Sequence, residues 1–187
     1  MKLPLKVGDP GWRKPEWEYI HEDPDLFDTG LDSLNSVLVS LANRYGNNIH
    51  EIKLVLAREP FDPRKFHPKQ SVGPKPDGLW YACGFGWINY LITEYHKAFG
   101  RYLYQIDIDT RDMAVLDGGK TQDFINEYAV KDRWDGGVDI NWKRVAREYK
   151  GVQACRGAYY DFHNKWDVSS GCIWDLSAIT GVTVLHQ

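Results

Sequence analysis

Strand-like and helix-like periods follow one another along this chain without regular β-α-β alternation. That order favours an α+β domain over a doubly wound parallel sheet. Leu31, Leu34, Val37, Leu38, Leu41 and Tyr45 recur at helical spacing and predict a helix over about 32–45, with Asp32 or Ser33 as cap and Gly46 as stop. Further helices are expected at 86–99, 121–129 and 141–149, the last with Asn141 as N-cap. Strand-type runs occupy 52–57, 78–83, 102–108, 113–116, 151–154, 158–162, 172–176 and 181–185. Between the first two runs, residues 59–76 form a long, proline-punctuated, cation-bearing loop of the kind that often carries function. Residues 1–30 have no sustained period and read as an extension packed on a domain spanning 31–187.

Charge narrows the function classes. The 187 residues carry 23 Lys plus Arg against 26 Asp plus Glu, a net charge of −3, which argues against a chain that grips nucleic acid by general phosphate attraction. Aromatic residues are abundant, with 8 Trp, 11 Tyr and 7 Phe, enough for a large core or for stacking on flat ligands. Cys83, Cys155 and Cys172 are too few and too scattered for a disulfide framework, and no CxxC occurs. Reduced thiols in the cytoplasm are the expectation, with no metal. No stretch of about 20 apolar residues exists, and the N-terminus lacks an apolar signal-peptide region, so no membrane partner is expected.

The strongest local pattern is Lys75-Pro-Asp-Gly78-Leu79-Trp80-Tyr81-Ala82, followed by Trp87 and Tyr90. Gly78 lets a backbone enter a strand close to another group. Trp80 and Tyr81 must point to opposite faces of that strand, one ring to the core and one to a cleft or solvent. Tyr90, on the next helix, is near enough to form a second wall. Two aromatic walls beside a backbone edge suit a flat amide-bearing ring such as nicotinamide; a core strand on a core helix gives the same pattern. Residues 84–89, Gly-Phe-Gly-Trp-Ile-Asn, mimic a dinucleotide-binding GxGxxG but lack its third glycine, and Asp107 falls about 20 residues on. Arg58 closes the first strand, where it can hold phosphate bidentately or pair with Glu59. His67 is a weaker candidate in the same loop. The spacing of Asp107, Asp109, Asp112 and Asp117 fits no EF-hand and reads as a solvated loop.

Three patches together, KPDGLWYA, NWKRVAREYKGVQ and WDVSSGCIWD, resemble a group of bacterial and phage proteins of the ADP-ribosyltransferase superfamily. GLWYACGFGWINY also resembles the segment of poly-ADP-ribose polymerases and diphtheria-type toxins in which two tyrosines sandwich nicotinamide. The resemblance implies an α+β fold with a split β-sheet core and flanking helices, binding NAD as substrate. It implies cleavage of the nicotinamide–ribose bond and transfer of ADP-ribose to a macromolecular acceptor, protein or nucleic acid, by a toxin-like enzyme. An antitoxin or inhibitor protein is then a partner. Arg58 takes the position of the early-strand Arg or His; Lys75, Gly78, Leu79, Trp80, Tyr81, Trp87 and Tyr90 bind the nucleotide.

Two departures stand out. Ala82 replaces the group's Ser, and Gln153 falls where the group has its catalytic Glu. An amide keeps the shape but loses a charge commonly worth about 10²–10³ in rate. Three readings follow: a natural attenuated variant, an introduced Glu→Gln change, or a register in which Asp167 or Glu148 supplies the carboxylate. Asp167 has a second reading, as acceptor of backbone N–H bonds in its own turn. The rival to an enzyme is a non-catalytic NAD-binding or protein-interaction module of the same fold.

Overall fold

The computed structural model describes residues 31–57, 59–90, 102–117, 119–132, 138–155, 166 and 168–187. The fold is mixed α+β with a mostly antiparallel, open sheet. Helix α1 (Leu31–Tyr45) leads into β1 (Lys53–Ala57), β2 (Val72–Gly73), β3 (Leu79–Cys83) and the short α2 (Gly86–Tyr90). Next come β4 (Tyr102–Ile108), β5 (Met113–Leu116), α3 (Lys120–Tyr128), β6 (Ala129–Asp132) and β7 (Val138–Asn141). Then follow the single-turn α4 (Trp142–Val145), β8 (Gly151–Ala154), β9 (Ser170–Ile173) and β10 (Ile179–His186). Among the described residues, no helix is long and apolar enough to cross a membrane.

Seven strands pair in the order β10-β4-β1-β3-β9-β8-β5, and every pair is antiparallel except β5–β8. The neighbours of β3 are therefore the antiparallel β1 and β9, which removes the dinucleotide-binding reading of residues 84–89. Alternation along the strands gives the large sheet two apolar faces. One face carries Val55, Tyr81, Tyr104, Ile106, Met113 and Ile173. The other is divided. At one end Leu38 and Leu41 of α1 and Ile88 of α2 bury Leu54 and Leu103. At the other, α3 and α4 bury Ala114, Val152, Ala154 and Cys172.

The expected long loop at 59–76 is not structureless. Asp62 caps a 3₁₀ turn at Pro63–Lys65 by accepting from the Arg64 N–H. β2 pairs with β7, and β7 with β6, in a second sheet of three strands that the sequence did not reveal. Trp142, fully buried, holds this segment: its backbone N–H donates to Ser71 O (3.1 Å) and its indole Nε1 to Gly73 O (2.9 Å). The Asp77 carboxylate accepts from the Lys69 N–H at 2.8 Å, and the Gln70 side chain bonds both the N–H and the carbonyl of Asp77.

Other boundaries differ from expectation for local reasons. Asn141 caps α4 as expected, accepting from the Arg144 N–H at 3.2 Å, but the helix stops at Val145. The chain then turns to bring the Tyr149 carbonyl to the Trp174 indole N–H at 2.7 Å. The strand expected at 172–176 begins earlier, at Ser170, and Leu176–Ala178 is a 3₁₀ turn capped by Asp175. The expected extension at 1–30, the rest of the helix over 86–99 and the strand at 158–162 lie outside the described residues. The expectation of reduced thiols is overturned: Cys83 and Cys155 form a disulfide, and Cys172 is the buried free thiol. No local pattern announces a bond between residues 72 positions apart.

Candidate functional site

β3 places Trp80 on the sheet face that carries α3 and α4 and Tyr81 on the opposite one. The strand can start so close to β9 because residue 78 is glycine: a Cβ there would lie 2.3 Å from Ile173 O and 2.8 Å from Cys172 Sγ. Trp80 meets Trp166 edge to face, with centroids 5.0 Å apart. Trp87 projects from α2 and is backed edge-on by Tyr90 at 5.8 Å. Between these rings lies a cavity of about 150 Å³ lined, among the described residues, by Lys75, Trp80, Trp87, Trp166 and Ser170. An apolar cavity of about this volume holds one benzene-sized ring.

The lining has a definite chemical character. Indole faces attract flat, electron-poor and cationic rings. Lys75 is exposed at the mouth and offers a positive charge for an anionic group. Ser170 is buried, and its hydroxyl donates to Val168 O at 2.8 Å, an arrangement in which the oxygen itself can act as an acceptor. No described lining residue carries a carboxylate.

The expected site is thus only partly brought together. Lys75, Trp80 and Trp87 share the cavity, while Tyr90 stands behind Trp87 and does not line it. Leu79 and Tyr81 face the other side, in the cluster with Tyr104 and Ile173. Tyr81 is fully buried, so it cannot wall the same slot as Trp80. Gln153 is also on that other side, where its Oε1 accepts from the Tyr81 hydroxyl at 3.0 Å. Burial holds the Tyr81 phenol well above its usual pKa, keeping it a neutral donor to this amide. Arg58 and Asp167 lie outside the described residues. Glu148 accepts from Tyr128 Oη at 2.7 Å, on the α3–α4 side, and takes no part in the cavity. Trp166 and Ser170 belong to the WDVSSGCIWD patch but have no assigned role in the expected site. Their signal was the bracketing of small polar residues by tryptophans in Trp166-Asp-Val-Ser-Ser-Gly-Cys-Ile-Trp174.

Tyr81 reaches Gln153 across an intervening strand. Tyr81 and Gln153 are both register partners of Gly171 on β9. A Cβ on residue 171 would lie 2.3 Å from both Cζ and Oη of Tyr81, so only glycine lets the ring lie over β9. Gly171→Ala is expected to cost about 1–3 kcal/mol through forced repacking. Chemical denaturation showing a loss below about 0.5 kcal/mol would mean that the ring moves aside freely.

The acids following β4 are engaged locally. Asp109 accepts from the Arg111 N–H at 3.1 Å and from its guanidinium, which lowers the Asp109 pKa to about 2. Asp112 pairs with Lys150 at 2.8 Å and Asp117 with Lys120 at 3.3 Å. A carboxylate held below its unfolded value stabilises the fold at pH above about 4, and the contribution fades as pH falls through the folded pKa. A carboxyl NMR titration should find Asp109 still ionised at pH 3; a midpoint near 4 would contradict the pairing. No group of three or more His, Cys, Asp or Glu poised for a metal occurs among the described residues. Comparison with family models, with curated proteins and with solved structures returned no match.

Proposed function

We propose that this chain binds NAD and transfers its ADP-ribose to a macromolecular acceptor, with the nicotinamide ring in the tryptophan-lined cavity. The observation that carries the reading is the juxtaposition of three indole walls with Lys75 at the mouth. The oxidised nicotinamide of NAD is a flat cation joined through ribose to a pyrophosphate, so one ligand satisfies both features. A cavity of about 150 Å³ takes the ring alone and leaves ribose and phosphates outside, toward Lys75. Ser170 Oγ accepts from the carboxamide. The resemblance to ADP-ribosyltransferases supplies the rest: Arg58 on phosphate or ribose, and a carboxylate that offsets the positive charge developing on the ribose.

That carboxylate is better sought at Asp167 than at residue 153. Gln153 is on the opposite sheet face and bonded to Tyr81, whereas Asp167 follows Trp166 directly in the chain. The second reading, a binding module without turnover, is favoured by the absence of a carboxylate among the described lining residues.

Two measurements test the proposal. NAD at 100 times its dissociation constant should stabilise the fold by about 2.7 kcal/mol, read as a rise in Tm that Trp80→Ala removes. No rise at millimolar NAD would refute NAD binding. With labelled NAD and mixed protein, DNA and RNA acceptors, Asp167→Asn should slow transfer by about 10²–10³, while Gln153→Glu should leave it within a few-fold. The converse result, strong activation by Gln153→Glu and no effect at Asp167, would return the catalytic position to residue 153. A Tm shift without any turnover would establish the module.

A further inference from the structure

Two residue pairs reach from β3 to β8 past β9 on one sheet face. Tyr81 and Gln153 do so over Gly171. Two residues further along the chain in each case, Cys83 at the end of β3 and Cys155 just past β8 do so beyond the first residue of β9, Ser170, with their Cα atoms 6.1 Å apart and a disulfide between them. Lys53 is the register partner of Cys83 on β1, and its Nζ lies 3.8 Å from Cys155 Sγ. Both cysteines are largely buried. Lys53 itself is only half-buried, so the polar end of this cluster is not sealed from solvent.

We propose that Cys83–Cys155 is a reversible thiol–disulfide site, with Cys155 as the reactive thiol, and that its state sets the tightness of the tryptophan-lined cavity. The asymmetry comes from Lys53. An ammonium beside one sulfur stabilises that sulfur as thiolate, and the sulfur with the more stable thiolate leaves faster in exchange. The thiolate of a small thiol or dithiol reductant therefore attacks Cys83 Sγ. The Cys83–Cys155 bond breaks, its electron pair leaves on Cys155 beside Lys53, and Cys83 carries the mixed disulfide. A second reductant thiol attacks the reductant's own sulfur and releases Cys83, which takes up a proton. The protein gains two electrons and the reductant becomes a disulfide. In the reverse direction the Cys155 thiolate attacks a mixed disulfide on Cys83.

Coupling to the cavity runs through the backbone. The Cys83 N–H donates to Ser169 O at 2.9 Å, next to the lining residue Ser170. Gly86 packs against Val168, where an added Cβ would lie 3.3 Å from the valine Cβ. Trp87 is the next residue, and Val168 lies between Trp166 and Ser170 in the chain. The disulfide thus sits where both walls of the cavity are anchored.

The test uses the full chain and no nucleotide, so it stands apart from the NAD reading. Brief exposure to glutathione, quenching with iodoacetamide and peptide mass spectrometry should place glutathione on Cys83 and the alkyl group on Cys155, with a preference of about tenfold. Lys53→Met should erase that preference. Equal or reversed labelling, or a preference that survives Lys53→Met, would overturn the assignment. In parallel, reduction should leave far-UV circular dichroism unchanged while raising acrylamide quenching of tryptophan. The Cys83→Ala, Cys155→Ala double variant should show the raised quenching with or without reductant. Unchanged quenching, or global unfolding on reduction, would make the bond a plain structural staple and overturn the switch.

Discussion

Trp142→Ala is expected to lower the unfolding free energy by about 3–5 kcal/mol, a large share of the roughly 5–15 kcal/mol that holds a domain folded. Trp142 is fully buried, packs against Phe124 and Trp174, and belongs to the same apolar cluster as Val145, Val152 and Trp166. Its removal leaves a cavity, and it also strips Gly73 O of its indole donor. Trp142→Phe separates the two effects. It keeps most of the packing but leaves Gly73 O without that partner, for a loss of about 1–3 kcal/mol. Urea denaturation of both variants checks the order. A Phe variant as damaged as the Ala variant would mean that the hydrogen bond, rather than the volume, dominates. An Ala variant within about 1 kcal/mol of the parent chain would contradict the burial.

Replacing both Cys83 and Cys155 by alanine is expected to cost about 4 kcal/mol. The cross-link joins positions 72 residues apart, and the chain-entropy argument makes its value grow slowly with that span. Most of the effect resides in the unfolded chain, which regains freedom when the link is absent. Denaturation of the oxidised parent, the reduced parent and the double variant should give one stable and two similarly weakened proteins. Equal midpoints for all three would show that the link does not constrain the unfolded state.

The legible parts of the sequence were those where a local period and a local need coincide. Tyr102–Ile108 is a strand over the expected span: Leu103 and Gln105 alternate against Tyr104 and Ile106, and Leu103 and Tyr104 bury on opposite faces. Gly151–Ala154 and Met113–Leu116 also have the expected bounds. What stayed hidden depended on partners distant in the chain. β2 is two residues long and exists only by pairing with Ile140 and Asn141. β6 and β7 are four residues each and stabilise one another. At the candidate site, alternation correctly separates Trp80 from Tyr81, but it does not say which ring borders the cleft. That choice is made by Trp166 and Ser170, brought in by β9. Gln153 lies with Tyr81 and not with Trp80 for the same reason, since its facing side is set by the strand lying between β3 and β8.

The position of β9 has a consequence for how the chain acquires its shape. β9 lies between β3 and β8, yet among the described strands only β10 follows it in the chain. Until residues 170–173 emerge, the described strands of the large sheet already made pair in two separate groups, β4-β1-β3 and β8-β5, with β3 and β8 waiting for β9 and β4 waiting for β10. Joining them requires contacts between residues 79–83 and 170–173, a loop closure whose entropy must be met before any of its pairing is gained. Folding should therefore be slow for a chain of this size. The waiting edges at β3, β8 and β4 are where a nascent chain of this protein is exposed to pairing with the wrong partner.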